Sequence, residues 1–197
     1  MKQTYIFLFL LATASGFAQR FDILSGKLEN LKGIKEYNTT FDYTGMTVHG
    51  FETEEEFLSE KMHKRENRPG AAEKFKEAWF ANRESMYEPA FISYFNKMFK
   101  DGEIKVAKKP EAKYTMQVKS TWIYPGYNAG PDVVPAKISA IVTVYETADP
   151  KKIILIMEFD KAIGVKHSVM TNTLGDRISW AYEKIAKNLS MQMKRFL

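Results

Sequence analysis

Three consecutive runs between residues 112 and 163 constrain this chain more than any other feature, because two alternate apolar and polar side chains with a period of two and the third opens apolar on both faces. In Ala112 to Tyr124, residues Tyr114, Met116, Val118, Trp122 and Tyr124 alternate with Lys113, Thr115, Gln117, Lys119 and Thr121. Ala136 to Thr147 repeats the pattern through Ile138, Ala140, Val142 and Val144, and Ile153 to Ile163 opens with five apolar residues in succession. Successive side chains of a strand point to opposite faces, so the runs read as strands with one dry face and one wet face. Asp149-Pro150 is the expected turn between the last two. Together they predict an antiparallel meander.

A sheet with one dry face needs a cover. The clearest is the segment from Thr173, where Asp176 completes a capping signal and Ile178, Tyr182, Ile185, Leu189, Met193 and Phe196 form one helical stripe. Ala71 to Lys100 is the longest helical stretch. Its apolar face moves from Phe75, Trp79 and Met86 to Phe91, Tyr94, Phe95 and Met98 across Pro89, which predicts a kink near Glu88-Pro89. Thr53 with Glu56 predicts a capped short helix reaching about Lys64. Phe41 to Phe51 reads as one strand with a bulge at Gly45, and residues 19–37 as an irregular lead-in. The expected architecture is α+β, in the order β-α-α-β-β-β-α. It has an antiparallel-rich sheet of about four strands and helices packed on one face.

Residues 1–18 read as an export signal: Lys2, the apolar run Tyr5 to Leu11, and Gly16-Phe17-Ala18 before Gln19. The run is too short to span a bilayer, which needs roughly 20 residues. Cleavage near Ala18 would release residues 19–197 as one α+β domain, periplasmic or secreted, with no transmembrane helix. The 197-residue chain has no cysteine, which excludes disulfides, thiolate metal sites and a thiol nucleophile, and denies a lipid anchor its usual attachment. A formal net charge of +5 points to anionic envelope polymers or head groups before nucleic acid, or simply to solubility.

No catalytic constellation is legible. The three histidines, His49, His63 and His167, show no metal-binding spacing, although His49 with Glu52 would supply half a site. Ser168 beside His167 points to the opposite face of any strand, and no serine elbow or glycine-rich phosphate loop is present. No catalytic residue, metal site or cofactor is therefore expected. The lysines between Lys97 and Lys119 are diluted by Asp101, Glu103 and Glu111 and read as a solvated face.

Two features remain as candidate binding sites. The stretch Trp122 to Pro135 reads as a long loop offering Trp122, Tyr124, Tyr127 and Asn128, either to a ligand or folded onto the sheet. Trp180 lies about 200° from Ile178 on an ideal helix, so it is either an exposed contact or covered by the lead-in Phe21 to Leu31.

Three segments carry a family resemblance: the strand from Phe41, the segment Ala112 to Asn128, and the helix Asp176 to Leu189. Their β-α-β-β-β-α order resembles the amino-terminal domain of TolB and outer-membrane accessory lipoproteins. With the FAQ signal ending, they look like an uncharacterised secreted family of Bacteroidota. The resemblance brings no catalytic residues. It implies a non-catalytic binding or assembly module of the envelope with a protein or glycan partner, or alternatively a small-ligand or glycan-binding domain with a cleft between the kinked helix and the sheet.

Overall fold

A computed structural model describes residues 21–129, 132–165 and 173–196. The expected signal and the His167-Ser168 pair lie outside them. The chain opens with β1 (Phe21–Gly26), a 3-10 turn (Leu28–Leu31), β2 (Glu36–Asp42) and the two-residue β3 (Thr47–Val48). Then come α1 (Glu54–His63), α2 (Ala71–Asn82) and α3 (Glu88–Met98), with one π-helical turn (Arg83–Tyr87) joining the last two. After β4 (Lys105–Ala107) come β5 (Tyr114–Tyr124), the small hairpin β6 (Tyr127–Ala129) and β7 (Asp132–Val134), β8 (Lys137–Glu146) and β9 (Asp149–Ile163). The last helix is α4 (Leu174–Met193).

The meander is present, since β8 pairs antiparallel with both β5 and β9. The sheet around it is larger and mixed. It has seven strands, in the order β1-β9-β8-β5-β2-β4, with β3 also pairing β5. About four antiparallel strands was therefore too few. The lead-in supplies β1, an edge strand on β9 whose register slips between Ile23 and Ser25, which erases its alternation. Phe41 to Phe51 is not one strand. The chain leaves β2 at Asp42, turns with Gly45 at φ +73°, and rejoins the same neighbour as β3. Both pieces run parallel to β5, and β4 runs parallel to β2. The turn between β8 and β9 is Thr147-Ala148, while Asp149-Pro150 opens β9 in an irregular stretch of ladder that tolerates a missing N–H.

The dry face packs under α3 and α4. Ile138, Ala140, Val142 and Val144 of β8 and Leu155, Met157 and Phe159 of β9 are fully buried. Tyr182 of α4 sits at the centre. It stacks on Tyr87 at 5.5 Å, meets Phe41 edge-on at 6.5 Å, and its hydroxyl lies 2.5 Å from Ser120 Oγ. The break near Pro89 is a widened turn: the Glu88 N–H reaches back five residues to the Arg83 carbonyl. Pro89 then falls in the first turn of α3, where its missing N–H costs nothing. Both expected caps form. The Thr173–Asp176 box is complete, whereas Glu56 reaches the Glu52 N–H at 3.0 Å, one residue earlier than a standard box.

Two bulges flank one residue of β8. On the β5 side the pairing steps from Ser120↔Ala140 to Trp122↔Ser139, so Thr121 is extra. On the β9 side Asp160 and Lys161 together oppose Ser139. Ser139 ties both down: its carbonyl accepts from Thr121 Oγ1 at 3.2 Å, its hydroxyl donates to Asp160 Oδ1 at 3.0 Å, and the same Ser139 Oγ accepts the Lys161 N–H at 3.0 Å. An extra residue exchanges the faces of everything beyond it. Trp122, Tyr124 and Lys161 are thereby turned to the open face.

Ser139→Ala removes both side-chain bonds to the β9 bulge, and we expect it to lower stability by roughly 1–3 kcal/mol in urea unfolding. A second expectation concerns alkali. Burial pushes the Tyr182 hydroxyl from 10.0 up to about 12. The folded chain keeps a proton that the unfolded chain releases, so Tyr182's share of stability is complete below pH 10 and is lost as pH rises through about 12. Tyr182→Phe should flatten the decline in stability measured across that window.

Candidate functional site

The re-aimed side chains meet at the corner where β3 ends. The His49 backbone N–H donates to the Ile123 carbonyl at 2.8 Å, extending the β3 pairing by one residue. This sets its ring against Tyr124 at 5.0 Å and 90°, and against Trp122 at 5.6 Å and 80°. Trp122 and Tyr124 lie within 17° of parallel, their centroids 6.5 Å apart. Lys161 places its Nζ 5.9 Å over the Trp122 ring, and Lys137 places its own 5.8 Å over Tyr124. These five side chains and Val134 of β7 line a recess of about 500 Å³.

A second recess of about 260 Å³ shares His49 and Tyr124 and continues toward α1 and α2. Its far wall is aromatic, with Phe57 at 5.4 Å from Phe51 and 6.1 Å from Phe75. Two more cations lie on these rings: Lys61 Nζ is 5.5 Å from Phe57, and the Arg65 guanidinium is 4.2 Å from Phe75. Between the recesses the chain turns sharply at Gly126. A Cβ there would come 2.3 Å from the Val134 carbonyl oxygen, and φ is +64°, so only glycine fits. From α4, Arg177 Nε donates to the Pro125 carbonyl at 3.2 Å and pins this corner, and burial lowers the pKa of its guanidinium.

The expected site residues divide accordingly. Trp122 and Tyr124 come together, as strand residues and not as parts of a loop. Tyr127 lines the second recess at 48% exposure, while Asn128 is exposed on β6 and lines neither. Trp180 is 8% exposed and lies elsewhere, beside Tyr94 and Val165, with Gly164 so close that a Cβ would sit 3.1 Å from its own. It is a packing residue. The lead-in instead packs Phe21 on Phe159 at 6.3 Å.

His49, Lys137, Lys161, Lys61 and Arg65 were not singled out by sequence as members of one surface. His49, which the sequence offers either as half a metal site with Glu52 or as a partly exposed strand histidine, is exposed and meets the Tyr124 and Trp122 rings edge-on. Among the described residues, no three histidine or carboxylate side chains converge on a metal position. The lysines at 108, 109 and 119 are held by Glu88, Glu36 and Asp42 at 2.5, 2.8 and 3.6 Å. Lys137 and Lys161 pair with no carboxylate among the described residues.

No family model and no curated protein matches the chain. Among solved structures it is similar to the PelC dodecamer from Paraburkholderia phytofirmans, with 12% identity and a TM-score of 0.42 over 89% of this chain and 97% of that one. It is also similar to a substituted PelC dodecamer from the same organism, with 14% identity and a TM-score of 0.40 over 88% and 98%. Similarity at this level assigns neither function nor assembly. No helix among the described residues is long and apolar enough to cross a membrane.

Trp79 and Trp180 are buried, so Trp122 is the tryptophan among the described residues that solvent quenchers reach. With two uncompensated ammonium groups beside it, iodide should quench its emission more efficiently than caesium at low salt. The preference should vanish in Lys137→Gln/Lys161→Gln.

Proposed function

We propose that this chain is an exported module of the cell envelope that binds its ligand without transforming it. In this reading the recognition surface is the corner formed by His49, Trp122 and Tyr124. The carrying observation is that two large rings, part-exposed on the open sheet face, are held in fixed orientation at a recess. Rigid aromatic faces offer contact area at low entropic cost, which suits recognition. The polar groups nearby serve structure: Asp160 accepts from Ser139, and Arg177 holds Pro125. The export signal read in residues 1–18 and the resemblance to secreted envelope domains support a ligand outside the cytoplasm.

The second recess favours the glycan-binding alternative over a purely protein-binding role. It opens between α1, the first half of the kinked helix and the β5–β6 corner, and its lining is mostly aromatic. A concave aromatic wall suits a sugar or a small apolar group better than a flat protein face.

The test is retention of the purified chain on immobilised envelope polysaccharide and on outer-membrane protein fractions. Wild type should be retained, and Trp122→Ala/Tyr124→Ala should lose at least tenfold in affinity with an unchanged circular dichroism spectrum. Equal retention of both would remove this corner as the recognition surface.

A further inference from the structure

We infer that the recess takes an acidic glycan, whose sugar faces lie on Trp122 and Tyr124 while its carboxylates meet the ammonium groups of Lys137 and Lys161. This rests on the corner being a binding surface and adds the chemistry of what it binds. The first argument is sign. The two connected recesses present four cations, Lys61, Arg65, Lys137 and Lys161, and no carboxylate among their described lining residues. Only Lys61 has an acidic neighbour, Glu60 at 3.5 Å. Lys108, Lys109, Lys119 and Lys152, by contrast, each lie within 3.6 Å of a carboxylate.

The second argument is how these cations are held. A cation over a ring is oriented by the ring's quadrupole with no opposite charge beside it, unlike one in a salt bridge. Lys137 and Lys161 are thus positioned and still available to an anion. The third is backbone strain. Lys161 has φ +47° and is the one described non-glycine residue in the left-handed region. Glycine or asparagine occupies that conformation at lower cost, and strained residues cluster where a ligand is gripped. Here the strain aims an ammonium group over Trp122.

An acidic polysaccharide matches this combination because it repeats an apolar ring face and a negative charge along one chain. A bilayer would need protruding apolar side chains, whereas Trp122 and Tyr124 are half-buried in a recess. Single-stranded nucleic acid also combines rings with charge, and the proposed export of the chain argues against it.

The experiment titrates the mature chain with galacturonate hexamer, following Trp122 fluorescence. Cellohexaose, a thymidine oligonucleotide and phosphatidylglycerol vesicles serve as parallel arms. Saturable binding of the uronate, with at least tenfold weaker binding of cellohexaose, is expected. Lys161→Asn should weaken uronate binding at least fivefold while the melting temperature holds or rises, because asparagine relieves the backbone. Lys109→Gln should change nothing. Cellohexaose binding as tightly as the uronate would overturn the acidic assignment yet leave the corner as a sugar surface. Oligonucleotide or vesicles binding as tightly as the uronate would overturn the glycan assignment. No response in any arm, with Trp122→Ala still losing retention on envelope fractions, would overturn this inference and keep the binding surface.

Discussion

Ser139 is bonded to an extra residue on each side, and the shape of both sheet faces depends on that arrangement. Its carbonyl receives Thr121 and its hydroxyl receives the Lys161 N–H while donating to Asp160. Because strand side chains alternate strictly, one inserted residue exchanges the faces of everything beyond it. The two insertions occur at the same level of the sheet, so β5 and β9 exchange faces together while β8 does not. The dry face stays continuous through Ile123, Ile138 and Ala162, all buried. The residues displaced outward are Trp122, Tyr124 and Lys161.

The two faces are joined mechanically at this level. One residue before the β5 bulge, Ser120 meets the Tyr182 hydroxyl, which fixes α4 on the sheet. From the same helix Arg177 holds Pro125 just past the end of β5. The aromatic corner is therefore clamped to the core at both ends of a short span, and its rings are not free to collapse inward. Such pre-organisation is what a binding surface requires if ordering its side chains is not to consume the interaction energy. The fold alone says nothing about which ligand that is. The chemistry lies in the rings and the cations on them.

Much of the architecture was legible in the residues. The meander, the capped last helix and its stripe, the break before Pro89 and the short helix after Thr53 all rest on local periodicity and capping, and local physics decided them. The parallel strands β2, β3 and β4 were illegible or misjoined because β3 and β4 are only two and three residues long and all three take their stability from neighbours distant in sequence. β1 escaped because it is exposed along almost its whole length and its register slips between Ile23 and Ser25, so no buried face imposes an alternation.

For the candidate site, the sequence by itself determined that large aromatics stand at Trp122, Tyr124 and Tyr127, and that no cysteine chemistry is available. It also placed Trp180 outside the core stripe, which is true of the helix taken alone. Only the tertiary structure decided the rest. It buried Trp180 between Tyr94 and the end of β9, and it turned Trp122 and Tyr124 away from the core that unbroken alternation assigns them. It also brought His49, Lys137 and Lys161 to their rings. The physical reason is that a bulge is written in the pairing of two strands. No single run of residues records where its neighbour will slip.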